Sequence, residues 1–165
     1  MNILYRIMVL LALSVGLLAC DDDDKEEVKP TLEVNYANIS GTWRLAEWNG
    51  EKLEDARYYY ITFDRKAVEG KRSFLIHTNL NSATSQRVSG AFVLEQDDEL
   101  ADLISGTYDY RLSTDDAWSL EYVITGLYED SMVWTAKDDA TEVRVYKRCD
   151  EVPADILAGS RASMP

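Results

Sequence analysis

Histidine is nearly absent: the 165 residues contain one, His77. A zinc site needs several ligands, and a serine or cysteine nucleophile needs a neighbouring base. A lone histidine on a strand with neither nearby therefore reads as a solvated side chain of the scaffold. Glycine-rich phosphate loops and nucleophile elbows are missing as well. Basic charge is scarce, with 17 lysines and arginines against 30 acids and a formal charge of −13. Neutralisation of phosphates by basic side chains supplies most nucleic-acid affinity, so this balance argues against a nucleic-acid partner. Beyond the apolar leader, no stretch longer than about eight residues keeps helical spacing. Among so many acids a glycosidase-like carboxylate pair is not eliminated, but no pair stands out. The expectation is a protein that is not an enzyme and has no catalytic residue, metal or cofactor.

What the chain does contain begins with that leader. Arg6 is followed by an apolar run from Ile7 to Leu13, which resumes after Ser14 with Val15, Leu17 and Leu18. The run falls short of the about 20 apolar residues that cross a bilayer and fits the core of an export signal. It ends in Leu17-Leu18-Ala19-Cys20, which resembles the lipobox of bacterial lipoproteins. A plain secretory signal is the alternative. The resemblance implies a signal peptide over 1–19, cleavage before Cys20, and acylation of Cys20 as a membrane anchor. Two or more acyl chains give stable attachment, because each buried methylene contributes about 0.8 kcal/mol. Loss of the leader removes Arg6 and no acid, which takes the formal charge from −13 to −14. With Cys20 acylated, Cys149 is left alone, so no internal disulfide is expected and the core must hold the fold.

The run Asp21-Asp22-Asp23-Asp24-Lys25-Glu26-Glu27 reads as a solvated, self-repelling spacer. An acidic run directly after the lipid cysteine is similar to the surface-export signal of Bacteroidetes lipoproteins. That similarity implies an outer-membrane protein facing the cell surface, with a periplasm-facing position as the alternative. Residues 20–38 carry Pro30 and little periodicity, and together they read as a lipidated tether.

Beyond the tether the pattern has period two, broken by turn-type clusters about a dozen residues apart. It predicts eight strands, at 42–48, 57–64, 73–79, 86–94, 101–110, 117–125, 131–136 and 142–148. Phe74 and Ile76 share a face of the third, while Gly90 in the fourth marks a bulge or bend. Trp118, Leu120, Tyr122 and Ile124 form one apolar row of the sixth. Short links mean antiparallel neighbours, and a sheet of this size can close on itself and lose its edges. The predicted fold is all-β, an eight-stranded antiparallel up-and-down barrel over 39–148, with a β-sandwich as the alternative.

Gly41-Thr42-Trp43 is similar to the glycine-x-tryptophan motif on the first strand of lipocalins. Tyr146-Lys147-Arg148 ends the last strand as many lipocalin-like domains of Bacteroidetes lipoproteins end theirs. The resemblance covers about residues 39 to 148. It implies that Trp43 plugs the closed end of the barrel and that Arg148 lies across its ring, a cation–π pair worth about 2 kcal/mol when desolvated. No counterpart of the second lipocalin motif or of the long carboxy-terminal helix is present, and lipocalin-like is the term these residues carry.

In an up-and-down barrel alternate links share a rim, here the open mouth. Those links hold Glu51, Glu54 and Asp55, the neutral stretch 79–85, Asp115 and Asp116, and Asp138 and Asp139. Such an acidic rim disfavours anionic ligands and tolerates cations or polyols, although turns favour aspartate in any case. Tyr59, Phe63, Trp118, Tyr122 and Trp134 are the candidates for lining a pocket, and ordinary core is the competing reading. Tyr58 and Tyr60 face outward, where a protein partner could dock. The tail from Cys149 on lies over the outside of the barrel or lacks structure, and Ala154 to Leu157 after Pro153 has room for a helical turn. The functional expectation is a lipid-anchored envelope protein that holds a small hydrophobic or amphipathic ligand, a glycan fragment being one example. The alternative is a barrel filled by its own side chains that serves as a protein-interaction module. Interior volume separates the two.

Overall fold

The computed structural model describes residues 30–97, 101–109 and 117–159. Cys20, the leader, Asp115 and Asp116 lie outside the described residues. The strands are β1 (Gly41–Trp48), β2 (Glu51–Lys52), β3 (Tyr59–Phe63), β4 (Arg72–Thr78), β5 (Gln86–Asp97), β6 (Ala101–Tyr108), β7 (Tyr122–Leu127), β8 (Ser131–Ala136) and β9 (Asp139–Cys149). Two single-turn helices flank them, α1 (Tyr36–Ile39) and α2 (Ala154–Leu157).

Strand β1 pairs with both β3 and β9, and every pairing is antiparallel. The ring of eight strands is therefore closed, with β2 hanging from the end of β1 outside it. The all-β up-and-down barrel is present, compatible with a lipocalin-like fold, and the β1–β9 pairing excludes the sandwich. Alternation drives the closure. Met132, Trp134 and Ala136 of β8 are buried while their neighbours are partly exposed, and Trp43 and Leu45 of β1 and Phe74 and Ile76 of β4 are buried in the same core. Irregularities between Leu45 and Glu47, Ile124 and Gly126, and Thr135 and Ala136 bend the strands.

Gly90 is not one of these bends, because β5 keeps register with both neighbours there. Its role is close approach: a Cβ would fall 2.1 Å from the Thr107 carbonyl oxygen and 2.6 Å from the Phe74 ring. Gly106 does the same for Trp118, whose indole would lie 2.4 Å from an added Cβ. The sixth predicted strand is shorter than its apolar row, since β7 begins at Tyr122. Trp118 precedes it, beside the single bridge between Thr107 and Ala117. The second predicted strand likewise begins late, at Tyr59. Tyr58 donates its backbone N–H to the buried Asn79 side chain instead, at 2.8 Å.

The two flanking segments are both packed on the barrel, the first against expectation. Residues 30–38 are no free tether, because they close one end of the barrel. Leu32 donates its backbone N–H to the Leu127 carbonyl at 2.7 Å, and Tyr36 accepts from the Leu94 N–H at 3.1 Å. The Tyr36 ring lies 5.7 Å from Phe92 and carries the Arg72 guanidinium 3.7 Å above it. Asn35 caps α1 by accepting from the N–H groups of Ala37 and Asn38.

The second segment is the tail, whose described residues 150–159 lie over the outer face, as one of the two readings had it. Val152 and Ile156 pack with Cys149 on Tyr58 and Tyr60, which are only 1% and 6% exposed. Those tyrosines do face outward, but α2 and the chain before it occupy the surface they were expected to offer. His77, opposite Tyr60 in the sheet, is buried as well rather than solvated. Burial, with Arg87 adding to it, pushes its pKa below the ordinary 6.5.

Candidate ligand pocket

The barrel has two unlike halves. At the closed end Trp43 is fully buried and donates its indole N–H to the Ile39 carbonyl at 2.7 Å. The Arg148 guanidinium lies 4.0 Å over the Trp43 ring. It also donates to three main-chain oxygens, those of Asn38 at 2.6 Å, Ser40 at 2.8 Å and Glu129 at 2.8 Å. Gly41, at φ 113°, leaves room for it, since a Cβ there would sit 3.0 Å from Arg148 Nη1. Above this plug the interior is solid aromatic packing. Phe63 lies 4.7 Å from Phe92 and 6.1 Å from Trp134, and Trp134 lies 4.7 Å from Tyr146. Phe63 is thus core beneath the pocket and lines no part of it.

The other half is open. A cavity of about 200 Å³ lies among Tyr59, Tyr122 and Trp134 from the strands and Trp118 from the β6–β7 connection. Four of the five aromatic candidates therefore meet around one space. Trp118 stands edge-on to Phe74 at 5.2 Å and 5.9 Å from Trp134, which sets the angle of that wall. Leu45, Trp48 and Tyr108 complete the walls, with Leu80, Asn81 and Leu120 near the links above.

Arg144 also lines the cavity, and the sequence reading missed it. Its side chain is 19% exposed. Nε donates to Glu142 Oε1 at 2.9 Å, and Nη2 forms an ion pair with the same oxygen at 2.9 Å. Glu142 in turn accepts from Trp48 Nε1 at 2.8 Å and Asn49 Nδ2 at 3.1 Å. Burial alone would raise the Glu142 pKa, but the bonds from Trp48, Asn49 and Arg144 outweigh it and hold the carboxylate below its ordinary range. The guanidinium lies 4.8 Å from the Trp48 ring centre and 4.9 Å from that of Tyr122. Burial disfavours its charge, yet the oxygens of Tyr146, Tyr122 and Tyr59 and the Glu142 bond more than compensate, so Arg144 stays protonated.

Burial pushes Tyr122 up to about 12 and also raises Tyr59 and Tyr146, so these hydroxyls are neutral near pH 7. Trp134 Nε1 is buried without a hydrogen-bond partner among the described residues. The Tyr146 hydroxyl faces Arg144 without reaching good hydrogen-bonding geometry to it. The period-two rule could have found Arg144, since Arg144, Tyr146 and Arg148 alternate onto one face of β9. The default expectation that arginine is exposed hid it.

The rim is less uniformly acidic than the link sequences suggest. Beside the cavity a wider groove of about 580 Å³ is lined by Glu51 and Glu54 but also by Lys52 and Arg57, and it shares Trp48, Leu80 and Asn81 with the cavity. Arg57 donates to the Leu80 carbonyl, which ties two links together. Asp138 is exposed at the β8–β9 turn. Asp139 is committed to that turn. It accepts from the Thr141 hydroxyl at 2.6 Å and the Thr141 N–H at 2.9 Å, bonds that lower its pKa. Among the described residues no group of histidine, cysteine, aspartate and glutamate side chains could hold a metal ion. Cys149 is a free thiol whose pKa is raised by burial.

No family model, curated protein or solved structure matches this chain. The pocket must therefore be read from its own chemistry.

Proposed function

We propose that this chain is a binding protein that holds one small, largely apolar molecule in the open half of its barrel, and that it carries out no catalysis. The observation behind this reading is the aromatic-walled cavity of about 200 Å³ in a barrel whose opposite end is plugged. A barrel serving only as a protein-interaction scaffold has no need of that space, and its side chains would fill it. The volume lies below the ~300–1,000 Å³ of pockets for drug-sized ligands. It exceeds the about 150 Å³ that suffices for benzene in an engineered apolar cavity. The size suits one ring with a small substituent, held by stacking on Trp134, Tyr122 or Trp118.

The proposal includes placement at the cell envelope, through acylation of Cys20 at the end of the apolar leader. Native mass spectrometry of the protein isolated from its own host tests the binding. The expected result is a bound species that leaves on denaturation, and a bare polypeptide mass throughout would count against it. Cys20→Ser should move the protein from the membrane to the soluble fraction, and continued membrane association would overturn the anchor.

A further inference from the structure

We propose that the ligand is a single-ring carboxylate and that Arg144 is the residue that recognises its charged end. This inference rests on the ligand-binding reading above and narrows it. A guanidinium offers five N–H donors in a planar fork suited to carboxylates. Glu142 takes the Nε hydrogen bond and the Nη2 ion pair, and no carboxylate or carbonyl among the described residues takes Nη1. Glu142 does not compete for an incoming group, because its oxygens are already occupied by Trp48, Asn49 and Arg144.

Arg144 is the one charged group among the described residues that line the cavity, and no carboxylate lines it. Tyr59, Tyr122, Thr78 and Ser119 offer hydroxyls that donate or accept, and Trp134 Nε1 is unpartnered among the described residues. A sugar can pair with these hydroxyls but brings no charge to the guanidinium. A cation would face Arg144. An oxygen anion on a flat ring answers both the guanidinium and the aromatic walls. The acidic surface does repel anions from a distance, but such repulsion is screened beyond about 10 Å at 0.1 M salt, and the contact with Arg144 lies inside that range.

The test uses the full chain after signal removal, titrated calorimetrically with benzoate, toluene and glucose. Benzoate is expected to bind at least about tenfold more tightly than toluene, and glucose not to bind measurably. The double variant Arg144→Gln with Glu142→Gln removes the ion pair as a unit, so neither charge is left buried alone. Near-ultraviolet circular dichroism reports whether its aromatic core remains packed. In that variant the preference for benzoate should vanish, with benzoate and toluene binding alike. Equal binding of the two rings to the wild-type protein, or an unchanged benzoate preference in the folded variant, would overturn the carboxylate inference and leave the pocket reading intact. Failure of both rings to bind would overturn the pocket reading and this inference with it.

Discussion

Trp43 is held by three different kinds of contact: complete burial, an indole hydrogen bond to Ile39, and the guanidinium of Arg148 across its face. Trp43→Ala should therefore cost about 3–5 kcal/mol in urea unfolding, as large aromatic truncations in cores do. Arg148→Lys keeps the charge but cannot reproduce the fork that reaches Asn38, Ser40 and Glu129, and a loss of about 1.5–3 kcal/mol is expected in the same assay. Both residues could be singled out in the sequence because each sits in a short recognisable motif. Arg144 sits in none. Its inward position follows from alternation, but whether a buried charge finds a partner depends on Glu142, Trp48 and Asn49, which only the folded turn between β8 and β9 and the end of β1 bring together.

At the level of elements, the strands were legible, as were the outer position of the tail and its helical turn, while the packed segment before β1 was not. Period-two burial is clean along β8, while in β3 and β4 the burial of the outward Tyr60 and His77 interrupts it. The segment before β1 was hidden because its four-residue helix leaves no helical pattern and the charged run ahead of it has the composition of a spacer. The alternation of Leu32, Val34 and Tyr36 was the available signal. For the tail, the signal was the pair Val152 and Ile156 at helical spacing after Cys149. Ile156→Ala should destabilise the protein by about 2 kcal/mol, because Ile156 is the buried anchor of α2. Deletion of residues 150–165 should uncover Tyr58, Tyr60 and His77. The His77 pKa, followed by nuclear magnetic resonance, should then rise toward its ordinary 6.5. An unmoved titration would show that α2 is not what buries this face.

For the whole molecule, closure followed from short links and regular alternation, whereas the cavity was invisible in the sequence because volume is what the side chains leave over. Phe63 and Trp134 look alike as inward aromatics, yet one is packed beneath the pocket and the other borders it. Charge gives a further whole-molecule expectation. As pH falls toward the sequence pI of about 4.4, self-repulsion weakens and stability should rise. Glu142 acts in the opposite direction. Its folded pKa lies below the ordinary 4.5, so its contribution is complete above that value and is lost as pH falls through the folded pKa. Thermal melts of the wild-type protein and Glu142→Gln should differ near neutral pH and converge in acid. A constant gap across that range would show that the carboxylate charge contributes nothing.

The segment that enters beneath Trp43 also fixes a direction. Leu32 and Tyr36 bind the chain to the plugged end, so a tether rooted at the proposed anchor Cys20 meets the barrel there. On the proposed anchoring, the pocket would open on the side away from the attachment point, and a molecule could be taken up or released without the protein leaving the membrane.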